Sequence, residues 1–460
     1  MIIMKFGGTS VEDARAIANV ADIIKKNFTN RPVVVSSACA GITNQLLKTA
    51  ALAQQGKRDE ALENVAAIES RHKKIVKELF DGETAKSLNK HLAACAEELA
   101  ALVNGVAVLG ELTPRSVDAF AAYGERLSSF ILQHYLEKIN VRSVWIDARK
   151  VIITDDQYTK AVVQLDLTEF KLRNFVLPKV ATGHVVVTQG FIGATEQGIT
   201  TTIGRGGSDY SAAIIGALIG ADEIQIWTDV DGILTADPTV VKDAKKIKVM
   251  SFNEASELAY FGARVLHPDT IMPAVKKNIP VRVLNSKRPS STGTLIVTKP
   301  KTEKRCIVKS IAYKEGVTLI GIVSSRMFLA HGFLEQVFTV FDKHQTTVHT
   351  VATSEVSISV TVDNSKNLNA IVRELRTFAA VTVAEKKAII CVVGDNLRNS
   401  AGVAARVLSA ISEVNINMIS QGASEINFSF VVDEDNVNDV VRRLHSELFS
   451  HVGSLTEIFE

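Results

Sequence analysis

The 460-residue sequence predicts an α/β domain on a largely parallel sheet, followed by two copies of a small βαββαβ module. Three observations carry that expectation. Short β-type apolar runs alternate with longer helical patterns up to about residue 300. All nine prolines and 20 of the 27 glycines lie at or before Pro300, so the composition changes there. Beyond it the chain repeats itself, without gaps, at an offset of 70 residues.

Ile2–Phe6 opens as a strand and runs into Lys5-Phe6-Gly7-Gly8-Thr9-Ser10, after which Val11, Ala14, Ala18, Ala21 and Ile24 keep helical spacing. Thr9 with Glu12 has the form of a capping box at that helix start. Paired glycines let backbone N–H groups approach an anion at a positive helix end, and Lys5 adds a mobile cation. This is the chemistry of a phosphate site, although no G-x-x-x-x-G-K-[ST] occurs. Val33–Ser37 is the second strand and Ser36–Asn44 the loop that leaves it. From Thr49 to about Leu136 the chain is rich in Ala, Leu and Glu and lacks convincing strands, which predicts a helical insertion. Inside it, Gly124–Ser129 stands ahead of an apolar helix.

Val141–Ile146 and Val185–Gln189 are the next strands. A second glycine turn, from Thr200 through Gly204-Arg205-Gly206-Gly207 to Ser208-Asp209, joins a threonine-rich strand to a helix starting near Ser208, and the Arg205 guanidinium can clamp a carboxylate or phosphate. The strand Glu223–Trp227 feeds Thr228-Asp229-Val230-Asp231-Gly232 and Asp237-Pro238, at the strand end where open α/β sheets bind ligands. Val281–Leu284 is the last strand of this part. Each of these turns taken singly is an ordinary cap or tight turn. Together they describe a site for a phosphorylated nucleotide and a small acid.

The basic stretch Thr298–Lys309 reads as a solvated linker and puts a domain boundary at about 300–312. In the repeat, Gly332 falls on Gly402, Val337 on Val407, Ser354-Glu355 on Ser424-Glu425 and Val362-Asp363 on Val432-Asp433. Further helices at Leu368–Phe378 and Val437–Phe449 follow in each copy. Such modules serve ligand sensing or association more often than chemistry.

The 52 Lys and Arg against 50 Asp and Glu leave a net charge of +2, too little for a chain-wide field that would hold a nucleic acid. The longest uninterrupted apolar stretch, near Ala212–Ala221, is closed by Asp222, short of the ~18–20 residues that span a bilayer. Met1–Met4 meets Lys5 and glycines, unlike a signal peptide. Cys39, Cys95, Cys306 and Cys391 stand far apart, which argues against structural zinc and a disulfide scaffold. The expectation is a soluble cytoplasmic protein with no nucleic-acid or membrane partner.

In chain order, Lys5–Ser10, Ser36–Asn44, Gly124–Ser129, Thr201–Ser211, Trp227–Pro238 and Phe261–Pro268 resemble the motif series of aspartate kinases, and the repeats resemble their tandem ACT domains. The resemblance implies an amino-acid kinase αβα sandwich over residues 1–300, ACT modules at 312–386 and 387–460, and phosphorylation of the side-chain carboxylate of L-aspartate by ATP with Mg2+. A carboxylate with a pKa of about 3.9 is already ionised at neutral pH, so no general base is needed. Catalysis becomes positioning plus charge neutralisation.

By resemblance, Lys5, Arg205 and Asp209 are catalytic. Gly7 and Gly8 meet the phosphates, and Thr228, Asp229, Leu234, Thr239, Arg264 and Val265 line the nucleotide site. Thr43, Glu125, Arg205, Ser208 and Asp209 hold aspartate, with Glu125 on its ammonium and Arg205 on its α-carboxylate. No protein metal ligand is implied. Leu234, Thr239 and Arg264 replace a Tyr, an Arg and a Lys common in relatives. An amino-acid effector, lysine first and threonine second, would meet Met327, Gly332, Phe333, Leu334, Thr347, Val348, His349, Thr353, Ser354 and Glu355. His349 stands where an Asp normally meets the effector's ammonium. ACT pairing implies a homodimer or a dimer of dimers, and the length leaves no room for a nicotinamide domain. The alternatives are a kinase of another acid, such as glutamate, and a non-catalytic amino-acid sensor.

Overall fold

The computed structural model describes residues 1–204, 206–262, 268–300, 308–324, 332–363, 366–422, 424–450 and 458–460. The chain forms two compact units, Met1–Gly232 with Leu266–Lys299, and Ile233–Val265 with Pro300–Glu460. The division therefore does not fall at one point in the chain.

In the first unit β1 (Ile2–Phe6) is buried at all five positions, as a central parallel strand covered on both faces should be. Gly8–Ser10 then make one 3-10 turn, and α1 (Ala14–Lys26) starts behind Asp13, whose side chain accepts from Ala16 N at 2.8 Å. The expected Thr9–Glu12 capping box is thus replaced by an Asp cap, because the intervening 3-10 turn delays the helix. After β2 (Val33–Ser36) come α2 (Ile42–Gln54), α3 (Arg58–Leu79), α4 (Gly82–Leu109), α5 (Pro114–Ala121) and α6 (Tyr123–Lys138), the expected helical insertion. Next are β3 (Ser143–Trp145), β4 (Ile153–Thr154), α7 (Leu165–Phe175), α8 (Leu177–Ala181), β5 (Val185–Gln189), β6 (Ile192–Thr195), β7 (Thr200–Thr202), α9 (Gly207–Ile219) and β8 (Glu223–Thr228). β9 (Val249–Ser251) and α10 (Phe252–Tyr260) belong to the second unit, and α11 (Pro268–Lys276), β10 (Val281–Asn285) and β11 (Thr294–Val297) return to the first.

The main strands of the first unit lie in the order β3-β5-β2-β1-β8-β10-β11, parallel except at β11, and β4-β6-β7 make a separate small sheet. Met4, Phe6, Val34 and Val187 of the sheet share one continuous core with Leu46, Ile68, Leu92, Leu99 and Ile131 of the helices. By length and composition α4 could cross a membrane. Lys86, Lys90, Glu97 and Glu98 interrupt its apolar run, which is why no long stretch stands out in the sequence. Its Leu88, Leu92, Cys95, Leu99, Val103 and Val106 form a stripe at helical spacing that is buried in the shared core.

In register, Phe6 lies opposite Ser36 and Trp227, Ser36 opposite Gln189, and Trp227 opposite Leu284. Five parallel strands thus end on one line, and the loops that follow them all leave the same edge.

In the second unit β12 (Ser310–Val323), α12 (Phe333–Lys343), β13 (Val348–Thr353), β14 (Ser357–Asp363), α13 (Leu368–Leu375), β15 (Ala380–Val393), α14 (Val403–Ala410), β16 (Met418–Ser420), β17 (Asn427–Asp433) and α15 (Val437–Phe449) build an antiparallel sheet in the order β13-β14-β12-β15-β17-β16. The 70-residue offset is kept in three dimensions. β14 and β17 coincide under it, and α12 and α14 start behind Gly332 and Gly402 at φ 83° and 84°.

The copies are not simply in series. Val317–Val323 of β12 pairs with Lys387–Ala380 of β15, while Ser310–Lys314 pairs with Val393–Ile389. Each of the two long strands therefore serves both copies. Lys309, expected in a solvated basic run, is buried and paired with Glu254 at 2.8 Å. The carboxylate of Glu254 is already fixed by its capping box with Ser251, which explains why a lysine is drawn inside.

Candidate active site

Lys5, next to last in β1, is nearly buried, and its Nζ lies 2.6 Å from Oδ1 of Asp209 in the first turn of α9. That helix starts behind Gly206 at φ 73°, a left-handed position that glycine takes without strain, rather than behind a Ser or Asp side chain. Gly7 N donates to Trp227 O at 3.0 Å, so the glycine turn after β1 is tied to the end of β8. A Cβ on Gly8 would stand 2.9 Å from the Ala38 carbonyl, which demands glycine where this turn meets the loop after β2. The result is a floor of close-packed backbone with a lysine at its rim, suited to a phosphate chain.

At the other side of the strand edge, α6 packs on the loop after β2, with Gly124 of its first turn so close that a Cβ there would lie 2.6 Å from Ala38 Cβ, and with Ser128 Oγ in its second turn donating to Ser37 O at 2.6 Å. Glu125 in the first turn is 3% exposed. Burial pushes its carboxyl up to about 8, against the pull of its own N–H and that of Ala38, and Oε2 has no protein partner. A buried carboxyl with an open oxygen is what a substrate ammonium requires. Thr43 is half-buried in the first turn of α2, and Ser208 is half-buried beside Gly190, whose Cβ position lies 2.6 Å from Ser208 Cβ. Cys39 is no nucleophile. Its thiol contacts Val11 O at 2.9 Å, and burial pushes it up to about 12.

Thr228 ends β8 and Asp229 follows it, with Thr228 Oγ1 donating to Asp229 Oδ1 at 3.2 Å. Leu234 and Thr239 belong to the second unit. The Leu234 carbonyl accepts from Ser310 Oγ at 2.7 Å, and Thr239 bonds through N and Oγ1 to Asp237 Oδ1 at 2.8 and 2.6 Å. Arg205, Arg264, Val265 and Met327 lie outside the described residues, as does His267. Among the effector residues, Gly332 caps α12, Phe333 sits in the core of the first copy, and Val348 packs on that core. Leu334, Thr347, Thr353, Ser354 and Glu355 are exposed.

His349 is engaged on both ring nitrogens. Nδ1 is 3.0 Å from Tyr260 Oη, and Nε2 is 2.9 Å from Asp363 Oδ1 and 3.0 Å from Lys314 Nζ. Burial, and then the Lys314 charge, hold it below the usual histidine range, so it is neutral.

Three participants escape the sequence. Asp118 of α5 accepts from Thr159 N, Thr202 N and Thr202 Oγ1 at 2.9, 2.9 and 2.6 Å, fixing the strand that enters the second glycine turn. Nothing in the sequence links residues so far apart. Asn285 ends β10 and Ser286 follows it, on the same edge as the motif loops. The strand-end rule would have found them had it been applied to Val281–Leu284 as it was to Glu223–Trp227.

A close-packed glycine turn, a strand-end lysine paired with Asp209 and a buried carboxyl with an open oxygen thus gather at one edge of a parallel α/β sheet, an arrangement with the chemistry for phosphoryl transfer to a small amino acid. Residues 1–285 match the model of the amino acid kinase family, to which the chain belongs, and residues 390–448 match an ACT domain. The chain is 39% identical to aspartokinase 1, chloroplastic, of Arabidopsis thaliana over 99% of its own length and 81% of that protein. It is 36% identical to lysine-sensitive aspartokinase 3 of Escherichia coli over 98% and 99%. Solved structures of E. coli aspartokinase III with aspartate and ADP, and with lysine and aspartate, superpose with TM-scores of 0.82 and 0.81 at 36% and 35% identity, over 98% of this chain and 100% and 99% of theirs. Within the amino acid kinase family this chain is a member of the aspartokinases.

Proposed function

We propose that the chain transfers the γ-phosphoryl group of ATP to the side-chain carboxylate of L-aspartate, giving 4-phospho-L-aspartate and ADP, and that its ACT repeats adjust this activity to an amino-acid end product. The observation that supports it best is the Lys5–Asp209 pair at the strand edge, with Glu125 open to an ammonium on the same edge. ATP with Mg2+ supplies the transferable phosphoryl group and the charge compensation around it. Gly7 and Gly8 leave room for the phosphates, and Lys5 holds positive charge where the carboxylate oxygen meets phosphorus. Glu125 takes the substrate ammonium, Arg205 its α-carboxylate, and Thr43, Ser208 and Asp209 orient it. Thr228, Asp229, Leu234, Thr239, Arg264 and Val265 border the nucleotide.

The effector site follows the first repeat from Met327 through Glu355, with lysine the first candidate and threonine the second. The enzyme works in the cytoplasm as a homodimer or a dimer of dimers. Purified protein with ATP, Mg2+ and aspartate should yield an acyl phosphate that hydroxylamine traps as a hydroxamate. Absence of aspartate-dependent product, with or without effectors removed, would sink the assignment, and glutamate in the same assay tests the acceptor.

A further inference from the structure

We propose that Ser286 is a positioning residue that locks the phosphate turn after β1 to the nucleotide loop after β8. Its N and Oγ both donate to the Thr228 carbonyl, at 2.8 and 3.0 Å. Its Oγ also lies 2.8 Å from Ser10 Oγ, and its own carbonyl accepts from Asn19 Nδ2. Ser286 and Ser10 are both buried, at 2% and 3% exposure.

One hydroxyl has one proton. Since Ser286 donates it to Thr228 O, Ser10 must be the donor in the Ser10–Ser286 bond, which makes a directed chain from Ser10 through Ser286 to Thr228. Ser10 N in turn donates to Gly7 O at 3.0 Å. The neighbouring Asn285 extends the clamp, its Nδ2 reaching Asp231 Oδ1 at 2.7 Å and Asp229 O at 3.3 Å. The residues at the end of β10 thus set, through hydrogen bonds within the protein, the spacing of the two loops assigned to the phosphates and the nucleotide. Loss of the hydroxyl takes the acceptor from the buried Ser10 hydroxyl and one of two donors from the Thr228 carbonyl, which loosens the tie between the loops.

This role rests on the kinase assignment and deepens its nucleotide side. The test measures KM for ATP and for aspartate in Ser286→Ala, Ser10→Ala and the double variant, with calorimetric binding of ADP and Mg2+ alongside. Ser286→Ala should raise the ATP KM about tenfold and weaken ADP in proportion, with the aspartate KM held within about twofold. Ser10→Ala, which cuts the same chain from its other end, should show a smaller rise in the same direction, and the double variant should be no worse than Ser286→Ala. Ser286→Thr, which keeps the hydroxyl, should recover part of the ATP affinity. Equal shifts in both KM values, additive variants, or lower melting temperature with unchanged KM would overturn the positioning role. A wild-type enzyme that binds ADP but forms no hydroxamate would instead overturn the kinase assignment on which the role rests.

Discussion

Lys5 Nζ stands 2.6 Å from Asp209 Oδ1, bridging the end of β1 and the first turn of α9. The lysine is thereby held in place before any substrate arrives, and an incoming carboxylate and phosphate meet a charge that is already oriented. Lys5→Ala should lower kcat by about 10²–10³-fold while ADP and aspartate still bind, and Asp209→Asn should lower it less. Hydroxamate formation checks the rate and calorimetry the binding. Undiminished turnover in Lys5→Ala would remove the lysine from the mechanism.

Glu125 gives a pH signature. The free enzyme keeps its proton below about pH 8, and an ammonium can pair only with the ionised form. The kcat/KM for aspartate should climb by roughly tenfold per pH unit between 6 and 8 and level off above. Glu125→Gln should flatten the profile and lose about 10²-fold or more.

The same group acts on stability with the opposite sense. Its folded-state value of about 8 lies above the ordinary 4.5, so its stabilising contribution is complete below 4.5 and is lost as pH rises to 8. Glu125→Gln, which cannot ionise, should melt above wild type at pH 9 and close to it at pH 4.5, by calorimetry without ligands.

His349 bears on effector choice. A neutral ring already held by Tyr260, Asp363 and Lys314 offers no carboxylate to an ammonium. His349→Asp should lower the lysine concentration for half-inhibition by about tenfold. An unchanged lysine titration would separate this position from the effector.

In the second unit, Lys309→Met strands Glu254 as an unpaired buried charge and should cost about 3–5 kcal/mol in urea melting. The double variant Lys309→Met with Glu254→Leu should regain most of it. Failure of the second change to rescue would place the loss in packing instead of charge.

The strands of the first unit were legible because short runs rich in β-branched and aromatic residues stand between longer helical patterns, as in Ile2–Phe6, Val185–Gln189 and Glu223–Trp227. Ile153–Thr154 and Ile192–Thr195 were not, being too short for a pattern to develop. Lys5 stood out from the glycine turn that follows it, whereas Glu125 and Asp209 were singled out only through the resemblance to the aspartate kinase motif series. Asp118 acts through contacts with a residue 84 positions away, a distance no local pattern records, whereas Ser286 follows a strand end and only its partner Ser10, 276 positions away, was beyond such a pattern.

The long strands β12 and β15 each serve both repeats. A cut between the copies would leave both with an unpaired sheet edge, so neither is a module that can be lifted out, swapped or lost alone. The two copies therefore move as one cassette together with Ile233–Val265, and a chimera that exchanges a single repeat should fail to fold where one that exchanges Ile233–Val265 with Pro300–Glu460 succeeds.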